Sequence, residues 1–431
     1  LVDRFNLTKG KANTFGLVPN GSATTVASVA DNGESATGAV TGTVYDGDTP
    51  IQQIGRWVVL KDIEAFTNDL AVSKSWEDFD TSFGIYSATT KAEDWWSIGN
   101  TAYHVLQPGG ELLDGIECNT DAQGCDWNYD ISSVGDASTF AVYATGTWYA
   151  TTDLSIDLGL RRENHEVSYS VDEGLDGEIT KALEYDETKT SWTVGANYAL
   201  NDTSGVFVRM NRGYKMPYFD DFRDNWGAYT GGNDLIKEVT QGELGYKFMN
   251  DSIQFFATAF ANEVKGDTFV RRPGAPAEIL TNEAYGLELD GRYSHDSGFS
   301  LSVNATIQET EITASANNEG NESQRQPGWQ VRVTPSYGFD IGDMYATVYG
   351  TLSAVDDRFG NNENTVVLEG YEKVDVGLTL EPTESLRLQF SVDNLTDEQG
   401  ITEGDPRNPD SPNGRYIMPR SMKLSVSYLF F

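Results

Sequence analysis

Hydrophobic and polar residues alternate along many segments of this chain. In residues 385–393 an apolar side chain stands at every second position, with polar side chains between. The same period of two recurs in residues 154–161 and 373–380. This period places the apolar side chains on one face of a β-strand and the polar ones on the other. The pattern therefore predicts a protein built largely of two-faced strands.

The connections between these segments alternate between short and long. Short polar turns occur at residues 77–80, 150–153, 201–203, 250–252, 295–298, 340–343 and 382–384. Longer segments, acidic and rich in Gly and Asn, lie at residues 93–136, 172–187, 215–235, 266–277, 314–326, 357–365 and 398–414. A meander with tight turns at one end and long loops at the other is typical of membrane β-barrels. We therefore predict an all-β fold, a transmembrane antiparallel up-and-down β-barrel.

Strand length separates this barrel from a soluble β-sandwich, which would show the same alternation. Sandwich strands are usually about five to six residues long. Residues 137–150 and 278–294 run for a dozen residues or more, which is long enough to cross a bilayer when the strand is tilted. The strand lengths favour the barrel.

Charge, hydropathy and the N-terminal sequence exclude several other kinds of protein and segment. The 431 residues carry a formal net charge of -36, and such a surface repels phosphate backbones, which excludes nucleic acid as a partner. No stretch approaches the roughly 20 consecutive apolar residues of a transmembrane helix. Residues 1–6 lack the basic and apolar regions of a signal peptide. We expect the start to be processed, trimmed or internal.

Catalytic and metal-binding patterns are not found in the sequence. There is no Gly-x-Ser-x-Gly, His-Glu-x-x-His, P-loop or Gly-x-Gly-x-x-Gly motif, and the three histidines are scattered. Cys118 and Cys125 lie in a polar stretch without the close spacing or nearby histidines of a metal site. We expect a local disulfide, with free thiols as the alternative. The sequence predicts no enzyme activity, no cofactor and no metal.

The last residues form an amphipathic segment that ends in aromatic side chains. Lys423, Ser425, Tyr428, Phe430 and Phe431 carry this pattern. It resembles the signal by which outer-membrane proteins are delivered to the barrel-assembly machinery, with serine where glycine is usual and one extra terminal residue. The resemblance predicts that these residues form the closing strand and its assembly signal.

Four groups of residues carry a further pattern in a fixed order. They are residues 213–219 after 206–209, residues 240–247, residues 284–289, and residues 392–397 followed by 404–407 and 419–421. They resemble the central and closing strands of TonB-dependent outer-membrane receptors. Each group alone is weak evidence for this family. The four groups in this order over residues 58–431 are specific to it.

The resemblance implies a 22-stranded barrel that encloses a plug. At about 25 residues per strand and connection, 22 strands need about 550 residues, more than this chain has. We count about fifteen strands from residue 58, and they match the eighth to the twenty-second. The expected domains are residues 1–8 as the end of a barrel strand, residues 9–57 as a long extracellular loop, and residues 58–431 as the C-terminal strands. The plug domain is expected to be absent from this chain.

The resemblance also implies a function and partners. A TonB-dependent receptor imports a scarce ligand across the bacterial outer membrane, with its long loops extracellular. Its expected partners are the TonB–ExbB–ExbD complex, contacted through the missing N-terminal part, the barrel-assembly machinery, outer-membrane lipid and lipopolysaccharide, and a small-molecule or oligosaccharide ligand. A surface lipoprotein is left open as a further partner. A passive pore or a surface-adhesion barrel is the alternative function.

Ligand binding is expected on the long loops, where aromatic and acidic residues cluster. The candidates are Trp127, Tyr218, Asp220, Asp221, Asp224, Trp226 and Tyr229. Aromatic rings stack on the apolar faces of sugar rings, and carboxylates bond to hydroxyls. Many ferric siderophores are anionic and would need a basic funnel, whereas these loops are acidic. The sequence therefore favours a carbohydrate, with a ferric siderophore as the alternative.

Other interpretations of the same residues stay open. Trp95, Trp96 and Trp226 fit the aromatic girdle of a membrane interface as well as a ligand site. The three aspartates after Tyr218 could coordinate a divalent cation through oxygen ligands or form a solvated acidic loop. Their spacing is not that of an EF-hand, which favours the solvated loop.

Overall fold

Antiparallel β-strands make up most of the computed structural model of this chain, which describes residues 1–30, 34–114, 116, 128–269, 278–404 and 414–430. Among these residues, no helix has the length and apolar character needed to span a membrane. The helices are α1 (Val26–Val29), α2 (Phe219–Asp224) and α3 (Trp226–Thr230). The strands are β1 (Val2–Thr25), β2 (Ser35–Gly38), β3 (Val44–Asp46), β4 (Pro50–Ser75), β5 (Phe79–Val105), β6 (Leu113–Asp114), β7 (Asn128–Tyr149), β8 (Leu154–Glu173), β9 (Lys181–Asn201), β10 (Ser204–Lys215), β11 (Lys237–Met249), β12 (Ile253–Phe269), β13 (Glu278–Ser294), β14 (Phe299–Ala314), β15 (Trp329–Ile341), β16 (Met344–Val355), β17 (Arg358–Phe359), β18 (Val367–Leu368), β19 (Tyr371–Thr383), β20 (Leu386–Asp393), β21 (Ile401–Gly404), β22 (Gly414–Tyr416) and β23 (Ser421–Tyr428).

Sixteen of these strands form one sheet in which each strand pairs with the next long strand along the chain. The order is β1-β4-β5-β7-β8-β9-β10-β11-β12-β13-β14-β15-β16-β19-β20-β23. The short strands form three small sheets within the long connections: β2 with β3 and β6, β17 with β18, and β21 with β22. The predicted all-β meander is confirmed, and so is the barrel class.

The first strand and its connection differ from the predicted bounds. We expected a strand at residues 1–8 and a loop over 9–57, but β1 continues to Thr25 and β4 begins at Pro50. The ladder between them runs from Val2 opposite Ala71 to Thr25 opposite Pro50, with one irregularity. Backbone hydrogen bonds hold this extension and do not require alternating side chains, so the sequence pattern does not reveal it.

The two faces of the sheet differ in chemistry. We call the face that carries α2 and α3 the inner face and the opposite one the outer face. On β8, Leu158 and Leu160 are exposed on the outer face, whereas Arg161 and Glu163 lie half-buried on the inner face. The neighbouring strands repeat this arrangement, with Phe140 exposed on the outer face of β7. A sheet with an apolar outer face and a polar inner face is the arrangement of a membrane barrel.

Two apolar cores lie at the long-loop end of the sheet. One forms where α2 and α3 pack on the inner face of β7, β8 and β9, around the fully buried Phe222. The other forms around Val26 and Ile51, where α1 and the small sheet β2-β3-β6 pack over β4 and β5. Both cores stabilise long connections between strands, so these connections fold into ordered structure rather than extended loops.

Candidate functional site

The connection between β10 and β11 carries six of the predicted ligand residues, and it folds onto the inner face. The ring of Phe219 lies against Gly135 of β7, where a Cβ would stand 2.4 Å from the nearest ring carbon. Phe219 also stacks on Tyr169 of β8 at 5.6 Å between ring centroids. Glycine at position 135 therefore permits a close approach that places α2 against the wall.

Asp221 caps the first turn of α2. Its Oδ2 accepts a hydrogen bond from the backbone N–H of Tyr218 at 2.9 Å. The same carboxylate forms an ion pair with Lys215 at 3.0 Å. A carboxylate in the first turn satisfies backbone N–H groups that the helix itself leaves unpaired. The geometry gives Asp221 a structural role.

Arg223 binds the other two aspartates of the helix. Its guanidinium lies 2.7 Å from Asp220 and 2.8 Å from Asp224, and its side chain is only 4% exposed. Burial acts to lower the pKa of Arg223, but the hydrogen bond and charge of Asp224 and the charge of Asp220 outweigh it and raise that pKa. The guanidinium therefore stays charged, and the two carboxylates serve as its counter-ions.

Side chains of β4 and β5 beneath α2 also contact Arg223 and its aspartates, and together they form a charge network. Arg223 lies over the ring of Trp96, 4.0 Å from its centroid, and 3.8 Å from Asp94. Lys61 of β4 contacts Asp94 at 3.0 Å and Asp220 at 3.3 Å. Arginine stacked on an aromatic face and paired with carboxylates is a strong and geometrically specific arrangement. Trp96 therefore belongs to this network.

The three aromatic ligand candidates of the same connection differ in how far they are buried. Trp226 and Tyr229 pack partly buried against the Phe222 core, with their rings 5.9 Å apart. Tyr218 is 37% exposed, and its ring lies 5.0 Å from that of His165. His165 is itself buried, between Thr139 at 2.9 Å and the carbonyl oxygen of Pro217 at 3.0 Å. Tyr218 thus remains the most accessible of the three aromatic rings.

The remaining predicted sites divide into described and undescribed residues. Trp127, Cys118, Cys125 and Phe431 lie outside the described residues, so the ligand role of the first, the disulfide and the terminal residue of the assembly signal stay predictions. Lys423, Ser425 and Tyr428 lie on β23, which pairs with β20. Phe430 follows this strand, and its ring lies 4.8 Å from that of Tyr428.

A second site, missed in the sequence, lies on the inner face of β12, β13 and β14. It is a cleft of about 390 Å³ that the connections after β14 and β16 help to form. Six side-chain amides line it: Asn262, Asn282, Gln308, Gln324, Gln326 and Asn362. We call this the amide cleft.

Three of these amides each have one atom without a hydrogen-bond partner among the described residues. The unpaired atoms are Asn262 Oδ1, Gln324 Oε1 and Asn362 Nδ2, all buried. Asn362 is only 2% exposed, and its Oδ1 accepts from the backbone N–H of Gln324 at 3.4 Å. A buried polar atom without a partner costs about 1–3 kcal/mol. The cleft therefore holds both a donor and acceptors with unused hydrogen-bonding capacity.

The loops that frame the amide cleft are tied to each other. Arg325 forms an ion pair with Glu403 at 2.7 Å and donates to the carbonyl oxygen of Gly404 at 2.8 Å. Asn321 donates to the backbone oxygen of Asn362 at 2.8 Å. Arg325 has a φ of 63°, a left-handed conformation that is uncommon outside glycine and that clusters at binding sites. The cleft is thus held in shape by the connections after β14, β16 and β20.

A signal for this cleft exists in the sequence. The triplet Asn-Asn-Glu occurs at residues 317–319 and again at 361–363, in the two connections that frame the cleft. Alternation also places Asn282 and Gln308 on the polar faces of β13 and β14, whereas the face of β12 that carries Asn262 also carries Phe256 and Phe260. What pattern alone cannot supply is the register, which sets Asn262 opposite Ala284 and Gln308 opposite Gly286.

Comparisons with known proteins agree with this architecture. The family profile described as TonB dependent receptor-like, beta-barrel matches residues 4–395. The pesticin receptor of Yersinia enterocolitica is 25% identical over 321 residues, which cover 70% of this chain and 45% of that protein. The chain therefore spans about half the length of this curated relative.

Solved structures show the same fold. The ferric yersiniabactin uptake receptor of Yersinia pestis matches with a TM-score of 0.68 and 18% identity, covering 99% of this chain and 59% of that one. A siderophore receptor of Acinetobacter baumannii matches with a TM-score of 0.66 and 14% identity, covering 88% of this chain and 62% of that one. At these identities the likeness concerns the fold alone.

Proposed function

Because this chain belongs to the TonB-dependent receptor family, as the barrel part of such a receptor, we propose that the protein imports a ferric siderophore across the bacterial outer membrane. The observation that carries the proposal is the family match over residues 4–395. One similar solved structure is named a siderophore receptor and another a ferric yersiniabactin uptake receptor, and these names support the choice of ligand.

The preference for carbohydrate is not supported by these relatives. It depended on the acidic loops, with a net charge of -36 for the chain, and on aromatic and acidic residues that were expected to face a ligand. Acidity disfavours only anionic ferric chelates, since neutral and cationic chelates are not repelled. Asp220 and Asp224 are counter-ions of Arg223, so part of their hydrogen-bonding capacity is already used.

The fold supports a definite orientation of the proposed receptor. The apolar outer face would lie against lipid and lipopolysaccharide, the short turns in the periplasm, and the long connections outside the cell. The amide cleft and the α2–α3 segment would then face incoming ligand. As the family implies, TonB with ExbB and ExbD would drive import, and β23 with Tyr428 and Phe430 would be the signal for the barrel-assembly machinery.

Uptake of radioactive iron tests this proposal. The receptor is expressed from its natural gene in an iron-starved Gram-negative host that lacks its own siderophore receptors. The host is given a panel of ferric chelates that are neutral, cationic or anionic. We expect uptake of at least one chelate, dependent on both the receptor and TonB.

Two outcomes would overturn the proposal. If no ferric chelate enters although the receptor is present and folded in the outer membrane, the ligand class is wrong. If iron enters equally well in a host without TonB, the protein is a passive pore.

Asn250→Asp, in the short turn before β12, is a control variant that should import iron like the wild type. Its side chain retains the acceptor for the N–H groups of Ser252 and Ile253.

A further inference from the structure

Two rows of charged side chains cross the outer face of β1, β4, β5 and β7. Lys61 of β4 contacts Asp220 of α2 on the inner face, so alternation places its neighbours Asp62 and Glu64 on the outer face. The register sets further charged residues beside these two on the adjacent strands. We call the whole set the charge ladder, and it consists of Lys9, Lys11, Asp62, Glu64, Lys91, Glu93 and Asp136.

The lysines of the charge ladder are paired but remain accessible. Each contacts a ladder carboxylate on the next strand, at 3.2 Å for Lys9, 2.9 Å for Lys11 and 3.1 Å for Lys91. Their side chains are 70%, 74% and 71% exposed. Exposed pairs of this kind contribute little to stability, so a lysine can exchange its carboxylate for a phosphate at little cost to the fold. The ladder therefore offers three cations to an anionic ligand.

Apolar side chains lie on the same face at the short-turn side of the ladder. Leu7 and Phe66 stand opposite each other, next to the pair of Lys9 and Glu64. Both are exposed, as is Phe140 of β7. In the orientation proposed above, this level of the outer face contacts acyl chains. The charge ladder then lies at the level of the lipid head groups of the outer leaflet.

A second apolar patch lies on the same face beyond the ladder. Trp95 of β5 stands opposite Leu60, and Phe15 and Leu17 lie on β1 near the same level. Trp95, Phe15 and Leu17 are exposed. Because the charges lie between this patch and the lower apolar band, acyl chains are not expected to cover it. Aromatic rings stack well on the apolar faces of sugar rings, so the patch fits a carbohydrate.

The three levels match one class of molecule. An amphiphile that carries acyl chains, phosphates and sugars in this order would contact all three, whereas a phospholipid would leave the upper patch bare. The ladder has four carboxylates for its three lysines, so phosphates alone would meet repulsion. Magnesium ions bind carboxylate and phosphate oxygens together, and they would offset this repulsion.

We propose that this surface is a binding site for a phosphorylated glycolipid of the outer leaflet. Lys9, Lys11 and Lys91 bind its phosphates, and Phe15 and Trp95 contact its sugars. Because the ladder faces away from the barrel interior, a plug inside the barrel leaves the site accessible. The site requires the orientation proposed above but not the proposed ferric ligand.

Replacement of the three lysines by glutamine tests the phosphate contacts. The receptor is expressed from its natural gene and purified in detergent with magnesium. Native mass spectrometry measures its binding of lipopolysaccharide with a complete core and of the same glycolipid after removal of its phosphates. We expect the wild type to bind the phosphorylated form at least about tenfold more tightly, and the triple variant Lys9→Gln/Lys11→Gln/Lys91→Gln to lose this preference. Equal binding of both forms by the wild type would overturn the proposal, and so would a triple variant that keeps the preference.

A matched pair of single variants separates the site from the net charge. Lys265 lies on the outer face of β12, paired with Glu263 at 2.7 Å, at a distance from the ladder. Lys9→Gln should weaken binding of the phosphorylated form severalfold, whereas Lys265→Gln removes the same charge and should bind like the wild type. If the two variants lost affinity equally, the ladder would not be the site.

Trp95→Ala tests the sugar contact. The variant should bind lipopolysaccharide with a complete core severalfold more weakly, but it should bind lipid A, which lacks the core sugars, like the wild type. An equal loss for both glycolipids would show damage to the surface rather than lost stacking, and an unchanged affinity for both would show that Trp95 makes no sugar contact. Either result would overturn the assignment of the upper patch.

The failure of this inference is separable from failure of the proposed function, because no ferric chelate takes part in these measurements. If no chelate is imported while the glycolipid results hold, only the proposed function is wrong. If a chelate is imported with TonB and the triple variant binds glycolipid like the wild type, only the glycolipid site is wrong.

Discussion

Two regions at the long-loop end of the inner face differ in the polar side chains that they contain. In the α2–α3 segment, Arg223 is surrounded by carboxylates and an aromatic ring, and each charge has a partner within 4 Å. In the amide cleft, no charge is central, and three buried amide atoms have no partner among the described residues. The α2–α3 region also contains buried polar atoms without a partner among the described residues, such as Trp96 Nε1 and Asn225 Oδ1. The two regions therefore differ in whether paired charges organise them. The comparison predicts that mutations in the first region affect stability and those in the second affect binding.

The largest effect is expected from Arg223→Met. The variant retains much of the side-chain volume but removes the cation that Asp94, Asp220 and Asp224 share, and only Asp94 and Asp220 keep a second cation, Lys61. Because loss of one partner from a buried ion pair is strongly destabilising, we expect the free energy of opening of the α2–α3 segment to fall by about 3 kcal/mol. Hydrogen exchange of the amides in residues 219–230 measures this opening.

A matched variant on the same connection serves as the control. Lys215→Met removes an ion pair with Asp221 whose lysine is 58% exposed, so the loss should be below about 1 kcal/mol. If both variants changed the opening free energy equally, Arg223 would not be the centre of this region.

A smaller effect is expected from Gly135→Ala. The added Cβ would stand 2.4 Å from the ring of Phe219, so the ring and α2 must move away from β7. Overpacking of this kind costs about 1–3 kcal/mol, and it should appear as weaker amide protection in α2. Gly213→Ala is the control, because a Cβ there meets nothing within 4 Å. Equal protection in the two variants would contradict the close approach.

A third connection is fixed by one carboxylate and should respond to acid. Glu111 accepts from the N–H groups of Val40 at 2.7 Å and Thr41 at 2.8 Å, and from the hydroxyl of Tyr45 at 3.1 Å. The hydrogen bonds from Thr41, followed by those from Val40 and Tyr45, lower the pKa of Glu111 to about 2 from 4.5.

The sign of the pH effect follows from this lowered pKa. The stabilisation is fully present above pH 4.5, the ordinary value, and is lost as pH falls through about 2. We expect the amide protection of residues 35–46, corrected for intrinsic exchange, to decrease over this interval. Glu111→Gln should abolish the dependence. Protection that stays constant to pH 2 in the wild type would show that Glu111 does not fix this connection.

The sequence predicts the barrel well and the sites only in part. Alternation along residues 154–161 or 385–393 identifies faces and strands because a period of two depends on local geometry alone. The role of Arg223 depends on Asp94 and Trp96, which are distant in sequence and meet it only after the wall has formed. For the same reason the sequence did not reveal the ion pairs of the three aspartates or the amides of the cleft, and the ligand role of the aspartates stays a prediction.

The smallest effect on stability is expected from Asn262→Leu, which sharpens the comparison between the two regions. Since Asn262 Oδ1 is buried without a partner among the described residues, replacing the amide by an apolar side chain of similar size removes an unsatisfied group. The free energy of unfolding should change by less than about 1 kcal/mol. Asn394 is 1% exposed, is bonded to Glu398 and Met418, and has a φ of 52° that disfavours leucine. The same substitution there should cost about 1–3 kcal/mol. Urea unfolding in detergent compares the two. If Asn262→Leu proved as costly as Asn394→Leu, the amide of Asn262 would stabilise the fold, and the difference predicted between the two regions would be lost.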